Sequence, residues 1–252
     1  MENLNSFVEN IEIGEFRRFG RICLAPVDVK FARNKNYKTL SDLIKVAEVE
    51  VREISTSGSV NEVLVENKSN DYLIIFDTDI ITGAKQNRVS ALSLIIAPHS
   101  RVQFPVYCIE RSRWSYSDGF NFSGSRFSVG PSIRSKKAEM IKKEHYQYVQ
   151  SAVWDEVSDM SKKFKTASST EDYVEILNKQ NFMGIKQIND FIINQETCGY
   201  VFSTPDYNLI EIFPNEMICR VKAIGMIQSL LADIDYSRDE FITPNKDELY
   251  DK

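Results

Sequence analysis

The hydrophobic and polar positions change their spacing part-way along the chain. Residues 10–114 show short apolar runs separated by turns rich in Ser, Gly and Asn, which predicts a β-rich region. One short helix is predicted inside it, because Thr39 is followed by apolar residues at helical spacing. From Ser135 to Lys165 the apolar residues recur every three or four positions, which predicts a helix with one apolar stripe. The stripe comprises Tyr146, Val149, Val153, Val157, Met160 and Phe164.

The second half of the chain is predicted to be mostly helical, with one late hairpin. In order, its expected elements are a helical region at 135–194, in which Ser169 caps one helix, a hairpin at 198–213 and a final helix at 215–233. Strands that precede helices indicate an α+β protein with an antiparallel β-rich, sandwich-like core and C-terminal helices. We expect a single domain over residues 1–234 and a flexible acidic tail over residues 235–252.

The most regular strand pattern predicts a hairpin of two long strands, residues 84–97 and 101–111. Because side chains alternate along a strand, Glu110 shares a face with core-like residues. Those residues are Val102, Phe104, Val106 and Cys108. A buried carboxylate needs a partner. In one hairpin register Asn87 lies diagonal to Glu110, whereas a one-residue slip brings Arg88 to that face.

Glu110 therefore has two interpretations. In the first, it is a catalytic or ligand-binding carboxylate whose pKa is tuned by burial. In the second, it closes the end of the sheet through a structural hydrogen bond or ion pair. The polar run that precedes it suits a polar or anionic ligand and equally a solvated strand end. That run consists of Lys85, Gln86, Asn87 and Arg88.

Residues 115–133 change character and are predicted to form a long loop. They are rich in Ser and Gly but also carry four large aromatic side chains (Tyr116, Phe120, Phe122 and Phe127). Together with Trp114, these rings could stack on a base or a sugar. The alternative is that they cover an edge of the core.

Charge is distributed unevenly along the chain. The net charge of −5 argues against a general nucleic-acid-binding protein. The stretch Lys85–Lys143 alone has 11 basic and three acidic residues, which gives it a net charge of +8. This stretch predicts a site for a small anionic or nucleotide-like ligand, with Arg111, Arg113 and Arg126 as candidate partners of phosphate or carboxylate. The alternative is a solvated helix start.

The remaining composition excludes several classes of site. Two histidines and four widely spaced cysteines give no metal-binding spacing, and no phosphate-binding or nucleophile motif is present. We therefore expect no metal and no cofactor. The sequence has neither a signal-peptide pattern nor a stretch as long as a membrane span. A cytoplasmic protein with free thiols and no membrane contact is expected.

Several segments resemble those of a known bacterial domain family. They are Gly83–Arg88, Pro98, Pro105–Glu110, Arg113 with Trp114, Gln150–Trp154 and Gly199–Phe202. This combination resembles the ARG and rhodanese-phosphatase-associated protein domain, which is named for its association with ADP-ribosylglycohydrolases and rhodanese-phosphatases. The resemblance covers roughly residues 10–233. Tyr107 departs from it, since a smaller residue is expected there, but its side chain lies on the face opposite Glu110.

The resemblance implies a link to NAD or ADP-ribose metabolism through genomic association, without an established mechanism. One hypothesis is that residues 85–88, Arg111 and Arg113 bind a small phosphorylated ligand of the NAD or ADP-ribose type. Glu110 would then act as general acid or base, and Trp114 would belong to a lid. The other hypothesis is a non-catalytic β-rich interaction or assembly module, which includes a homo-oligomer. In it the same residues form a structural lock. Whether the protein is an enzyme is left open.

Overall fold

The computed structural model describes residues 9–30, 37–117, 119–145, 148–166 and 168–237. The chain divides into two compact units, one formed by residues 1–35 with 182–252 and the other by residues 36–181. The expectation of a single domain stays a prediction. Most of the predicted acidic tail, from residue 238 onwards, lies outside the described residues, as does Tyr146 of the predicted apolar stripe.

The described residues contain fourteen strands and six helices. The strands are β1 (Ile11–Ile13), β2 (Arg17–Phe19), β3 (Ile22–Val29), β4 (Tyr37–Thr39), β5 (Val49–Arg52), β6 (Glu62–Asn67), β7 (Tyr72–Ile75), β8 (Asp79–Gly83), β9 (Arg88–Ser90), β10 (Leu94–Ile96), β11 (Ser100–Cys108), β12 (Asn121–Ser128), β13 (Gly199–Ser203) and β14 (Asn208–Ile212). The helices are α1 (Leu40–Lys45), α2 (Pro131–Lys142), α3 (Val149–Phe164), α4 (Tyr173–Asn178), α5 (Ile185–Ile193) and α6 (Glu216–Asp233). The predicted α+β class, with an antiparallel β-rich core and C-terminal helices, is confirmed.

The unit of residues 36–181 is built on a closed barrel in the order β11-β6-β5-β12-β8-β9. Every pair of neighbouring strands in it is antiparallel. Alternate side chains point inwards and form a buried apolar core, as expected for a barrel interior filled by side chains. They include Val49, Val51, Val63, Val65, Phe104, Val106 and Phe122. A second sheet, in the order β10-β7-β4, has β4 parallel to β7.

The predicted hairpin of residues 84–97 with 101–111 is confirmed only where residues 88–90 pair antiparallel with residues 106–108, and the rest of it is wrong. The first segment divides into β9 and β10, because the chain bends where the Ser90 hydroxyl donates to the carbonyl of Leu92. β9 then pairs with β11, while β10 pairs with β7. In the observed register Arg88 lies opposite Cys108. The remainder of β11 pairs with β6, which closes the barrel instead of forming a two-stranded ribbon.

The predicted loop at 115–133 is also wrong over most of its length, since it contains β12 and the first turn of α2. Phe122 and Phe127 are buried, which anchors β12 in the barrel wall. Gly124 is required for close packing, because a Cβ atom there would lie 2.8 Å from the hydroxyl of Ser41. The neighbouring strand β8 begins at Asp79 and pairs with β12.

Helix boundaries follow the capping residues. Thr39 caps α1 through a reciprocal pair of hydrogen bonds with Asp42, which confirms the predicted helix start. The single helical pattern predicted at 135–165 is two helices, α2 and α3, separated near Glu144, whose φ is +58°. The cap of α4 is Asp172 and not Ser169.

The unit of residues 1–35 and 182–252 has an antiparallel sheet in the order β1-β3-β13-β14, in which β2 also pairs with β3. The late hairpin is confirmed as β13 and β14. The final helix is confirmed as α6, which Asn215 caps by accepting a hydrogen bond from the N–H of Ile218. Among the described residues, no helix combines the length and apolar character needed to cross a membrane.

Candidate functional site

Glu110 lies just beyond the end of β11 and is buried, as predicted. Its carboxylate accepts two hydrogen bonds from the guanidinium of Arg113, at 2.8 Å from Nε and 2.7 Å from Nη2. It accepts a third, at 3.0 Å, from the backbone N–H of Asn87. Of the two predicted partners, Asn87 therefore contacts Glu110 through its main chain. The main side-chain partner is Arg113, three residues further along the chain.

Arg113 is fully engaged within the protein. A guanidinium has five N–H donors. Here two point to Glu110 and the other three point to the carbonyls of Gly83, Ala84 and Ser115. Every donor of Arg113 thus holds the protein together, which leaves none directed at a phosphate.

Arg88 is also engaged internally. It is completely buried and its Nη2 lies 2.9 Å from the carboxylate of Glu53, which is itself buried. The guanidinium carbon lies 5.6 Å from the ring centroids of Trp114 and Phe122. Arg88 Nη1 donates to the carbonyl of Ser59. Burial of this kind makes Arg88 an internal cation and not a surface one.

Lys85 and Gln86 are directed away from the carboxylate of Glu110. Lys85 Nζ donates to the carbonyl of Ser57 at 2.7 Å and lies 5.2 and 5.1 Å from the ring centroids of Trp114 and Tyr116. Gln86 is buried and donates to a main-chain carbonyl, that of Arg111. Two of the predicted aromatic residues thus contact the ammonium group of Lys85.

Arg111 is one of two predicted ligand-binding cations that are exposed, the other being Arg126. About half of its side chain is exposed, and Nη1 lies 3.5 Å from the carboxylate of Glu171. The guanidinium also lies 5.7 Å from the ring centroid of Trp154. The backbone N–H of Arg111 donates to the carbonyl of Thr170, which brings this cation next to the residues that precede α4. Arg126, from β12, donates to the side chain of Asn178.

A cleft of about 650 Å³ lies beside Glu110, between β8, β12 and the start of α4. We call it the acidic cleft. Its lining residues are Thr82, Gly83, Asn87, Glu110, Arg113, Ser117, Asn121, Ser123, Thr170, Asp172 and Glu175. Three carboxylates therefore face one guanidinium, and that guanidinium has no donor left. The cleft offers hydrogen-bond acceptors and hydroxyl groups instead of free positive charge.

Asp172 is the titratable group that burial perturbs most clearly in this cleft. Its carboxylate caps α4 by accepting hydrogen bonds from the N–H groups of Val174 and Glu175, at 3.1 and 3.2 Å. A β-bridge joins its main chain to that of Glu110. Burial raises the pKa of Asp172, and the neighbouring Glu110 adds to the rise, whereas a hydrogen bond from the Asn87 side chain opposes it. The Asp172 carboxyl therefore keeps its proton at a higher pH than an ordinary aspartate does.

Little in the pattern of residues along the chain indicates this cleft. Its hydroxyl-bearing residues come from β8, β12 and the segment before α4, so only the closed barrel brings them together. Asp172 had one detectable signal, since an Asp directly before a short apolar helical pattern is typical of an N-cap. Among the described residues, no group of three or more His, Cys, Asp or Glu side chains is arranged to hold a metal ion.

Comparison with known proteins gives one positive result. The chain returns no match among curated proteins and none among solved structures. A family model does match, that of the ARG and Rhodanese-Phosphatase-superfamily-associated Protein domain, and it covers residues 10–249. The match includes the barrel, the acidic cleft and both predicted motifs around Glu110 and Arg113. The chain therefore belongs to the ARG and Rhodanese-Phosphatase-superfamily-associated Protein domain family.

Proposed function

We propose that the acidic cleft binds a small ligand of the NAD or ADP-ribose type through its ribose hydroxyls. The observation that supports this most is the grouping of three carboxylates with four hydroxyl side chains around one opening. Carboxylates accept hydrogen bonds strongly, and adjacent sugar hydroxyls supply donors in pairs. The volume of about 650 Å³ is suited to a ligand of nucleotide size.

Within the proposed site, Glu110 and Asp172 have different tasks. Glu110 is held in place by Arg113 and by the N–H of Asn87, so it is a fixed acceptor. Asp172 has a raised pKa and is the better candidate to donate a proton to a bound ligand. The predicted catalytic role of Glu110 therefore becomes, in this proposal, a role in orientation beside Asp172.

The phosphate groups of such a ligand would lie towards Arg111. This side chain is about half exposed, and the main chain of Arg111 is bonded to Thr170 in the cleft wall. The other predicted phosphate partners all have partners inside the protein, and they are Lys85, Arg88, Arg113 and Arg126. The exposure of Arg111 and the internal partners of the other cations are both consistent with ribose bound in the cleft and phosphate at its rim.

Calorimetric titration of two matched variants tests the proposal. Ser123 is exposed on β12, so Ser123→Trp fills the cleft without touching the buried network. Gln103 is exposed on β11 outside the cleft, and Gln103→Trp is the control. We expect ADP-ribose to bind the wild type and Gln103→Trp, and to bind Ser123→Trp at least about tenfold more weakly. Equal binding by both variants, or no binding to the wild type at millimolar ADP-ribose, would overturn the proposal.

A second candidate function is favoured by one specific observation. All five donors of Arg113 and the buried Arg88–Glu53 pair act inside the barrel, as a structural lock would. In a non-catalytic interaction module this lock would fix the barrel for a protein partner or a second copy. The wild type would then give no heat with ADP-ribose, NAD or ribose, while the variants that break the lock would still unfold at lower denaturant.

A further inference from the structure

A second cleft of the same unit contains a buried lysine to which the proposed function assigns no role. It has a volume of about 430 Å³ and lies between the bend after β9 and one face of α2. Its wall is apolar at Leu92, Ala138 and Ile141. Its charged lining residues are Asp77, Arg134, Lys137 and Lys142. We call it the basic cleft, because three cations face a single carboxylate.

Lys137 is buried at the wall of the basic cleft, with 2% of its surface exposed. Its Nζ donates to the carbonyls of Asp77 and Ser90, the latter at 2.8 Å. Within the part of the chain that the structure describes, Nζ has these two acceptors. A neutral amine has two N–H donors and one lone pair. The two carbonyls can therefore take both donors of the neutral form and leave the lone pair available.

The surroundings favour that neutral form. The pKa of Lys137 is lowered from 10.5 to about 8, and burial is the main cause. The Asp77 carboxylate opposes this shift, and the neighbouring Arg134 guanidinium adds to it. Desolvation beside a second cation is the usual way in which proteins make a lysine nucleophilic. The Asp77 carboxylate does not neutralise the site by itself, since its Oδ2 is already paired with Arg134 at 2.9 Å.

We propose that Lys137 is a nucleophile that forms an imine with a small aldehyde or 2-oxo acid carrying an anionic group. The Nζ lone pair attacks the carbonyl carbon, so a C–N bond forms as the C=O π bond breaks and a proton passes from nitrogen to oxygen. The hydroxyl then takes the remaining N–H proton and leaves as water while C=N forms, and no oxidant or reductant is needed. Arg134 and Lys142 attract the anionic group, and Leu92 with Ile141 contacts the carbon chain.

Reductive trapping on the intact protein tests this proposal without a variant. The protein is incubated at pH 7.5 with glyoxylate and cyanoborohydride, and the modified lysines are identified by peptide mass spectrometry. Lys136, one residue away and about half exposed, is the internal control. We expect at least about tenfold more adduct on Lys137 than on Lys136, because the lower pKa gives Lys137 far more free amine. Adducts spread evenly over the surface lysines would overturn the proposal.

Two further experiments distinguish a specific binding site at Lys137 from the general reactivity of lysine side chains. Acetaldehyde has the same reacting group as glyoxylate without the anionic group, so it should label Lys137 more weakly. Equal labelling by both would contradict recognition by Arg134 and Lys142. The adduct at Lys137 should also rise with pH and level off above about pH 8. An adduct at Lys137 that continues to rise up to about pH 10, as for an ordinary lysine, would count against a depressed lysine nucleophile.

Discussion

The two clefts of the barrel unit differ in the charges that they present. In the acidic cleft, Glu110, Asp172 and Glu175 face Arg113, whose five donors are all engaged within the protein. In the basic cleft, three cations face one carboxylate, which is already paired with Arg134. The first cleft therefore presents hydrogen-bond acceptors and the second presents positive charge. Most of the residues that line the two clefts nevertheless come from one stretch of the chain, residues 77–142.

The difference shows that the charge of a segment does not tell which charges a ligand can reach. Residues 85–143 carry a net charge of +8. Two of the cations in it, Arg88 and Arg113, are bound to Glu53 and Glu110, so they neutralise buried carboxylates. The cations that line the basic cleft are Arg134, Lys137 and Lys142, all of them on α2. None of these three was among the predicted ligand-binding residues.

The largest effect on stability is expected from removing Arg88. This change tests whether the cations near the acidic cleft act inside the protein. Arg88→Met leaves the buried carboxylate of Glu53 without its charged partner, and breaking such a pair lowers the free energy of unfolding by about 3–5 kcal/mol. Urea denaturation at pH 7 measures the change. The control is Lys68→Met, which breaks an exposed pair with Glu50 and should leave stability nearly unchanged. Similar values for both variants would contradict an internal role for Arg88.

The next largest effect is expected from Glu110→Gln, which sharpens the description of the acidic cleft. The glutamine loses the bidentate charged contact with Arg113, so we expect the free energy of unfolding to fall by about 2–3 kcal/mol. A double-mutant cycle with Arg113→Met isolates the pair. The double variant should lose less stability than the two single changes added together. Additive losses would show that Glu110 and Arg113 do not act as a pair.

The sequence predicted those parts of the fold that local signals control. The cap at Thr39, the late hairpin and the last helix were correct, because capping residues and short turns act within a few residues. The long hairpin at 84–111 was correct only where β9 pairs with β11, because the choice of partner for the other parts of these strands is not local. Strand β11 pairs with β6, about 35 residues earlier, and only barrel closure satisfies both edges.

The candidate site was predictable to a similar extent. Burial of Glu110 followed from strand alternation, and this inference was correct. The ion pair with Arg113 was missed because Arg113 lies beyond the strand, where alternation no longer fixes the direction of a side chain. Asp172 was missed as a site residue because a fold that joins α4 to the end of β11 is needed to place it beside Glu110. Composition also misled at β12, where Ser and Gly allow close packing and do not mark a loop.

A smaller effect on stability is expected at Lys137 in the basic cleft, and it is measured through the pH dependence of stability. The folded protein holds the Lys137 proton less tightly than the unfolded chain, whose lysine titrates near 10.5. Between about pH 8 and 10.5 the unfolded chain therefore binds more protons, and stability attributable to Lys137 rises with pH. From pH 7 to 9.5, the wild type should gain on the order of 1–2 kcal/mol relative to Lys137→Met. A constant difference between the two proteins over that range would contradict a depressed lysine pKa.

The smallest effect on stability is expected from Asp172→Asn, which should change the acidic cleft in charge alone. Asparagine caps helices about as well as aspartate, so the free energy of unfolding at pH 7 should change by less than about 1 kcal/mol. Burial raises the pKa of Asp172 above 3.8, so the folded protein keeps a proton that the unfolded chain has already lost. Stability attributable to this group therefore falls as pH rises through that window.

The same variant removes the proton that the proposed site would donate. Relative to the wild type, Asp172→Asn should gain stability as pH rises from about 4. Its binding of ADP-ribose should also lose the pH dependence that the Asp172 carboxyl confers. Asp159→Asn is the matched control, because Asp159 is exposed on α3 and paired with Lys162 at 2.8 Å. If the binding profiles of the two variants coincide, Asp172 does not contact the ligand. The two clefts would then still differ in charge, but the carboxyl group of Asp172 would have no role in ligand binding.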